Sequence, residues 1–283
     1  MNRKLIPLLA LALLITVACS CGFTVPKAPT PEPEVTDEVN VPVPSSGTAR
    51  LTLSFGAGEM YLSAGAADSL VEGEATYNYS KIKPVIKTDG DSVRIQSGDG
   101  TFNAFPNFGD LTNRWDLKLG FAPTDLTIEA GAYTGEFEFG GLALTALTVK
   151  DGASTVNLSF SSANKTEMSI LRYETGASTV KMIGLANANF GTLDFSGGAG
   201  DYTLDFSGNL KRSATATIDA GLCNVIRLIP EGVPAIVTVE SGAANVSAGA
   251  GWSQNSGVYT QEGEGPTLTI IVNIGAGNLT LTK

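Results

Sequence analysis

Short runs in which apolar and polar residues alternate recur along the chain from about residue 48 onward. Clear examples are residues 50–55, 125–129 and 267–273, where Leu, Ile, Val or Phe alternate with polar residues. Because successive side chains of a strand point to opposite faces, this pattern predicts half-buried β-strands. No window after residue 50 shows the 3.6-residue apolar stripe of an amphipathic helix, so the sequence predicts an all-β fold.

A seven-residue motif beginning with Gly-Ala repeats along the chain. Residues 152–158 (GASTVNL) recur almost unchanged at 176–182 (GASTVKM). A period of 20–25 residues is typical of stacked coils, so the sequence predicts a β-solenoid of either hand over residues 126–283. A barrel or a sandwich of evenly spaced short strands is the alternative. Including weaker copies, the motif starts at residues 56, 131, 152, 176, 198, 219, 242 and 275.

Alternation within the motif predicts which side chains face the core. The fifth and seventh positions are apolar or small and the sixth is polar, so the fifth and seventh are expected to point inward. The opening Gly-Ala is expected to form a corner. The expected inward pairs are Val156/Leu158, Val180/Met182, Tyr202/Leu204, Cys223/Val225, Val246/Ala248 and Leu279/Leu281.

The first 49 residues lack this alternation. A basic start is followed by an apolar stretch at residues 5–17, which is too short to span a bilayer and is typical of a secretory signal. A cut after residue 18 resembles the lipoprotein signals of bacteria, so residues 1–18 are predicted to be the signal peptide and Cys19 the lipidated residue. Cys21 is the alternative. Residues 19–49 are rich in Pro and Glu and are predicted to be a disordered linker.

Composition excludes several kinds of chemistry. The 283 residues include 28 acidic and 18 basic residues and no His. Without His there is no Ser-His-Asp triad and no His-ligated metal. A pI of about 4.5 argues against a nucleic-acid partner. The pair Glu136/Glu138 and the group Asp194, Asp201 and Asp205 are interpreted as solvated faces rather than catalytic carboxylates. We therefore predict no catalytic residue, no metal and no cofactor.

Several segments resemble the bacterial toast-rack family. They are residues 113–119 (NRWDLKL), 123–126 (PTDL) and 77–79 (YNY), together with the glycine corners. The resemblance covers most of residues 50–283 and makes residues 50–125 a β-rich N-terminal part. It implies an extracytoplasmic β-repeat protein, in a family whose members are partly membrane-linked and associated with responses to cell-wall-active antibiotics. It supplies no catalytic residues.

The predicted function is that of a lipid-anchored, extracytoplasmic protein with a non-catalytic binding, structural or stress-regulatory role in the cell envelope. The alternative is a carbohydrate-binding or carbohydrate-active protein on the same scaffold. The expected partners are the membrane, through the anchor, and an envelope protein or cell-wall polysaccharide. The insertion from Trp252 to Pro266 breaks the period, and Trp252 and Tyr259 are predicted to be exposed aromatic anchors in it. Alternatively, Trp252 caps the end of the core.

Overall fold

A computed structural model describes residues 29–45, 47–98, 108–230 and 232–282. Its described residues contain 15 β-strands, three short 3₁₀ turns and no α-helix, which confirms the all-β prediction. No helix long and apolar enough to cross a bilayer occurs within these ranges. The predicted signal peptide, Cys19 and Cys21 lie outside the described residues.

The strands differ widely in length, and each of the longest contains one copy of the repeated motif. The strands are β1 Val35–Pro42, β2 Ala49–Ala66, β3 Ser69–Tyr77, β4 Pro84–Asp89, β5 Ser92–Ser97, β6 Asn113–Gly120, β7 Thr124–Glu138, β8 Leu144–Ser159, β9 Met168–Ile183, β10 Phe190–Asp205, β11 Ala214–Leu228, β12 Ala235–Ala248, β13 Ser253–Asn255, β14 Val258–Gln261 and β15 Leu268–Thr282. The 3₁₀ turns are Ser80–Ile82, Phe108–Asp110 and Leu185–Ala188.

These strands form one large mixed sheet. Its spatial order is β1-β3-β6-β2-β7-β8-β9-β10-β11-β15-β12-β14-β13, and the hairpin β4–β5 joins it where β5 pairs with β2. All neighbours from β2 to β12 in this order are parallel, with equivalent motif positions side by side, such as Ala153 opposite Ala177. The sheet therefore continues across residues 125/126, where the sequence predicts a domain boundary.

Each long strand consists of two arms separated by the Gly-Ala corner. In β8, Val149 is buried before the corner and Val156 after it, so the buried positions change from odd to even numbers. Both residues belong to one hydrophobic cluster, which requires the strand to bend at residues 152–153 so that both arms face the same core. Glycine is needed at such corners because the neighbouring backbone lies very close. At the equivalent corner of β9, a Cβ on Gly176 would lie 2.5 Å from the carbonyl oxygen of Gly152.

The alignment of one motif copy is corrected by the strand register. The sequence places its start at Asp219, but Tyr202 pairs with Val225, so the copy begins at Gly221. The local Asp-Ala-Gly sequence matched the motif better than Gly-Leu-Cys did, although it was two residues out of register. A shift of two preserves the side of the strand, so Cys223 is still buried.

Most of the predicted inward side chains are buried, as expected. The exception lies in β12, where Val246 is only half-buried and Ala248 is exposed. The prediction was wrong for Ala248 because β12 lies near one end of the strand order, where fewer neighbouring strands cover its second arm. The confirmed inward residues are Val156, Leu158, Val180, Met182, Tyr202, Leu204, Cys223, Val225, Leu279 and Leu281.

The last copy of the motif does not stack at the end of the sheet. The C-terminal strand β15 lies between β11 and β12 and pairs in parallel with both. Strands β11 and β12 are neighbours in sequence but not in space. As a result, β12 and the short strands β13 and β14 form one end of the sheet, and β15 lies inside it.

The linker prediction was wrong for residues 35–42. They form β1, which pairs antiparallel with β3 and buries Val39 and Val41. The prolines at residues 31 and 33 precede the strand, and Pro42 lies at a register shift at its end. Proline is tolerated at such an edge position because the missing N–H is not needed by a second neighbour.

A carboxylate at the end of β7 makes the fold sensitive to acid. Glu138 accepts hydrogen bonds from the Gly140 amide (2.7 Å), the Ser161 hydroxyl (2.8 Å) and the Ser159 hydroxyl. Partial burial alone would raise the pKa of the Glu138 carboxyl, but these hydrogen bonds outweigh it and lower the pKa below the usual 4.5. The ionised carboxylate therefore stabilises the fold at neutral pH, and this contribution is lost as the pH falls through the lowered pKa.

We expect Glu138→Gln to lower the free energy of unfolding by about 1 kcal/mol at pH 7. The difference from the wild type should shrink once the pH falls below the usual glutamate value of 4.5. Urea denaturation at a series of pH values measures this. A difference that grows on acidification would contradict the assignment.

Candidate functional site

An open groove crosses the first arms of six neighbouring strands, β8, β9, β10, β11, β15 and β12. It consists of two adjoining cavities of about 660 and 600 Å³ that share Ser196 and Asp219. We call it the arm-1 groove. Its polar lining residues are Lys150, Asp151, Arg172, Glu174, Thr175, Asp194, Ser196, Thr217, Asp219, Glu240 and Asn273.

One row of outward residues, one from each strand, runs along the groove, and the parallel register brings these residues side by side. These outward residues directly precede the corner region, and each lies opposite its neighbour in the next strand. Adjacent strands lie about 4.8 Å apart, so the row presents polar groups at a regular spacing. In spatial order, the row is Lys150, Glu174, Ser196, Asp219, Asn273 and Glu240.

The β8–β10 half of the groove contains compensated charges. Lys150 lies 3.4 Å from Glu174, and Arg172 lies 3.1 Å from Asp194. These side chains are 39% to 51% exposed. Exposed ion pairs contribute about 0–1 kcal/mol each, so this charge pattern does little for stability.

The β10–β12 half is acidic. Asp219 accepts a hydrogen bond from the Asn273 amide at 2.6 Å, and Glu240 lies beyond Asn273 on β12. Among the described lining residues of this half there are two carboxylates and no basic side chain. Small residues at the corner, such as Gly221 and Gly242, leave the space beside these carboxylates open.

Asp151 connects the groove to the core through a network of hydroxyl groups. Its carboxylate accepts hydrogen bonds from Tyr173 (2.8 Å), Tyr133 (3.2 Å) and Thr175. Burial raises the pKa of Tyr173 well above its usual value, and the nearby Tyr133 and Asp151 raise it further. Both tyrosines therefore remain protonated donors at any physiological pH and hold the groove floor in place.

We expect Asp151→Ala to lower the free energy of unfolding by about 2 kcal/mol or more, because two buried tyrosine hydroxyls lose their acceptor. Tyr173 is fully buried and Tyr133 is 6% exposed, so water cannot readily replace the carboxylate. The matched control is Asp194→Ala, which removes only a half-exposed ion pair with Arg172. Equal losses for the two variants in urea denaturation would show that the network is not structural.

The second arms present a different outward face. Asn side chains of three strands form a ladder with Asp201. The Asn224 amide donates to Asp201 at 2.8 Å, the Asn278 amide donates to Asn224 at 2.8 Å, and the Asn245 amide donates to Asn278 at 3.4 Å. Two apolar side chains lie on the same strand as Asn224, namely Leu222, which is 67% exposed, and Ile226, which is 43% exposed. A smaller cavity of about 380 Å³ lies along this ladder.

The two aromatic residues predicted as anchors do not lie in the arm-1 groove. Tyr259 is 6% exposed, so the prediction that it is exposed was wrong. It lies opposite Val237 because β14 folds back on β12, and it packs on the end of the core. Trp252 is half-buried against the same core, which agrees with the capping alternative.

The acidic residues singled out in the sequence are distributed over different surfaces. Asp194 lies on the first arm of β10, whereas Asp201 and Asp205 lie beyond its corner. Glu136 accepts a hydrogen bond from Asn157 at 2.7 Å, and Glu138 is held by the turn that follows β7. No cluster of three or more His, Cys, Asp or Glu side chains suited to a metal occurs within the part of the chain that the structure describes.

Sequence reasoning missed the arm-1 groove. Each of its polar residues is an ordinary outward residue of a predicted strand, and none has an unusual local pattern. One signal was available: Asp219, Asn273 and Glu240 lie two residues before Gly221, Gly275 and Gly242, respectively. That signal depends on the corrected alignment of the copy at Gly221.

Comparisons with known proteins point to one family and one fold. The family described as the N-terminal domain of toast_rack, DUF2154, matches residues 30–183. No curated protein matches the chain. Among solved structures, the chain is similar to a "putative cell adhesion protein" from Clostridium sporogenes ATCC 15579, with 19% identity and a TM-score of 0.53 over 89% of this chain and 99% of that one.

Two further structures align with weaker scores. One is a "putative adhesin" from Bacteroides fragilis NCTC 9343, with 10% identity and a TM-score of 0.35 over 88% of this chain and 96% of that one. The other is a "putative adhesin" from Parabacteroides merdae ATCC 43184, with 13% identity and a TM-score of 0.24 over the same shares. At 19% identity, the similarity to the Clostridium sporogenes protein concerns the fold alone.

Proposed function

The chain belongs to the family of the toast_rack N-terminal domain, and from this premise we propose that it is a non-catalytic binding protein of the bacterial cell envelope. We place its ligand in the arm-1 groove. The observation that carries the proposal is the groove itself, in which six strands of a rigid sheet align polar side chains at a regular spacing.

The ligand chemistry follows from the charges of the groove. Asp219 and Glu240 give its β10–β12 half a negative potential, and Asn273 adds an amide between them. Carboxylates and amides at fixed positions suit a ligand that carries ammonium or guanidinium groups. The solved protein from Clostridium sporogenes is called a cell adhesion protein, and a binding role here is in keeping with that name.

The proposal includes attachment to the membrane through a lipid on Cys19. An apolar stretch at residues 5–17 ends just before this cysteine. Two or more acyl chains on one residue suffice for stable anchoring. Cys19→Ser is expected to release the protein from the membrane fraction or leave an unprocessed precursor, whereas Cys21→Ser is expected to leave it attached. The reverse result would assign the lipid to Cys21.

We also take the parallel strands from β7 onward to be the coils of a β-solenoid. The aligned corners and the bend between the arms support this, since equivalent positions of neighbouring strands lie side by side. Trp252 and Tyr259 then act as the cap of the last coil rather than as ligand anchors.

Binding is tested with two exposed aspartates that differ in the face they occupy. Asp219 accepts from Asn273 at 2.6 Å in the groove, and Asp201 accepts from Asn224 at 2.8 Å on the second arms. The probes are oligolysine and isolated cell-wall polysaccharide, measured by fluorescence titration at low salt. Asp219→Asn should weaken the binding of the cationic probe by about tenfold, and Asp201→Asn should change it little.

Equal effects of the two variants would mean that net charge, and not the groove, attracts the probe. Binding of the polysaccharide alone, unaffected by Asp219→Asn, would favour a carbohydrate-binding function at another surface. Added salt should weaken the cationic interaction in the wild type, because the groove is open to solvent.

A further inference from the structure

The outer edge of β12 is only partly covered. Strand β14 pairs with residues 235–238, and the Val239 amide donates to the Gly257 carbonyl oxygen at 3.0 Å. From Ser241 to Ala248, no strand among the described residues pairs with this outer edge, while the inner edge is paired with β15 as far as Ala248. An unpaired stretch of strand presents backbone N–H and C=O groups that can accept another strand.

The direction of the backbone groups can be read from the hydrogen bond that follows β12. The Gly249 amide donates to the Leu281 carbonyl oxygen in β15 at 2.9 Å. Since backbone groups alternate in direction along a strand, the N–H and C=O groups of Val246 and Ala248 point away from β15, toward the open edge.

The chemistry of this edge offers nothing that prevents strand pairing. Residues 241–251 (SGAANVSAGAG) contain no charged residue and no proline. The other terminal strands carry the usual protection against pairing, or are too short to support it. Strand β1 contains Asp37, Glu38 and Pro42, β4 contains Pro84, Lys87 and Asp89, and β13 has three residues.

We propose that this edge pairs with the same edge of a second copy of the chain. The two β12 strands run antiparallel about a two-fold axis near Asn245 and join two sheets into one. A second copy is the occupant because residues 241–251 carry no charge, so this edge can face a copy of itself without opposing like charges, whereas the rest of a chain with a formal net charge of −10 repels a second copy. An uncharged edge of small residues is complementary to itself, and protection of the other edges limits the assembly to a dimer.

The first test removes a single outward N–H. Analytical ultracentrifugation of the full chain in non-ionic detergent should show a concentration-dependent dimer. Val246→Pro should weaken the dimer by about tenfold, because the edge loses a donor and proline disfavours a new ladder. Hydrogen exchange in β15 should match that of the wild type, since the Val246 amide does not bond to β15.

The second test uses charge exchange at Asn245, which lies in the middle of the edge. Asn245→Lys and Asn245→Glu should each lose the dimer, because like charges meet across the two-fold axis. An equimolar mixture of the two variants should restore it as a heterodimer. The matched controls are Asn278→Lys and Asn278→Glu, which place the same charges one strand further in, on β15, and should leave the dimer intact.

Each possible result either supports or overturns pairing through the β12 edge. Dimerisation that is lost in Val246→Pro and restored in the mixture supports edge pairing. A wild type that is monomeric at every concentration overturns it, and so does a dimer that survives both changes at Asn245. A monomer whose edge binds an unrelated extended peptide would assign the edge to a different protein and overturn the dimer.

Discussion

Deletion of residues 268–283 should destabilise the sheet far beyond the loss of one end strand. Six side chains of β15 are at most 2% exposed. Burial of each contributes about 1.5–3 kcal/mol to the free energy of unfolding relative to an exposed position. Their sum is as large as the whole stability of a typical domain, which is about 5–15 kcal/mol. These residues are Leu268, Ile270, Val272, Ile274, Leu279 and Leu281.

The position of β15 also determines which other strands lose stability when it is deleted. Because β12 is held by β15 and not by β11, hydrogen exchange should lose its protection in residues 235–248 as well. Deletion of β1, which lies at the opposite edge and buries two valines, is the matched control and should affect only its neighbour β3. If residues 235–248 keep their protection and stability falls little, β12 can pair directly with β11, and the insertion is not essential.

The second large effect is expected from a charge placed in the middle of the core. Val180 in β9 is 1% exposed, and Val180→Asp would place an unpaired carboxylate among the packed second arms. We expect a loss of about 3 kcal/mol or more in the free energy of unfolding. The cost arises from desolvation, since no Lys or Arg is among the buried residues in the part of the chain that the structure describes.

The matched control is the next residue in the chain. Lys181 is exposed, so Lys181→Asp should change the free energy of unfolding by about 0.5 kcal/mol or less. Urea denaturation of both variants measures the difference. Similar losses would mean that the inward and outward sides of the second arm are assigned incorrectly.

The two outward faces and the open edge have separate roles in the proposals made above. The arm-1 groove concentrates carboxylates and would bind a ligand, while the edge of β12 would join two copies. Both features occur near the β12 end of the sheet, and Glu240 lies in the groove just before the open edge begins. A dimer paired antiparallel about Asn245 would place Glu240 of one copy opposite Ala250 of the other, so the two acidic groove ends would lie at opposite ends of the paired segment.

Local sequence patterns correctly indicated the strands and their buried side. Residues such as Val180 and Leu204 could be assigned to the core because alternation along a strand is a property of neighbouring residues. The glycine corners could be recognised for the same reason, since each requires a close backbone approach within one short segment. The resemblance to the toast-rack family also came from short segments, and the match to residues 30–183 confirms it.

What the sequence alone left undecided depends on contacts between distant residues. The insertion of β15 between β11 and β12, the pairing of β1 with β3 and the burial of Tyr259 of β14 against β12 all bring together segments far apart in the chain. The arm-1 groove also exists only because the parallel register places one polar residue of each strand beside the next. A local pattern can define the two sides of a strand, but the choice of neighbouring strand is determined by which pairing buries the most apolar surface in the complete fold.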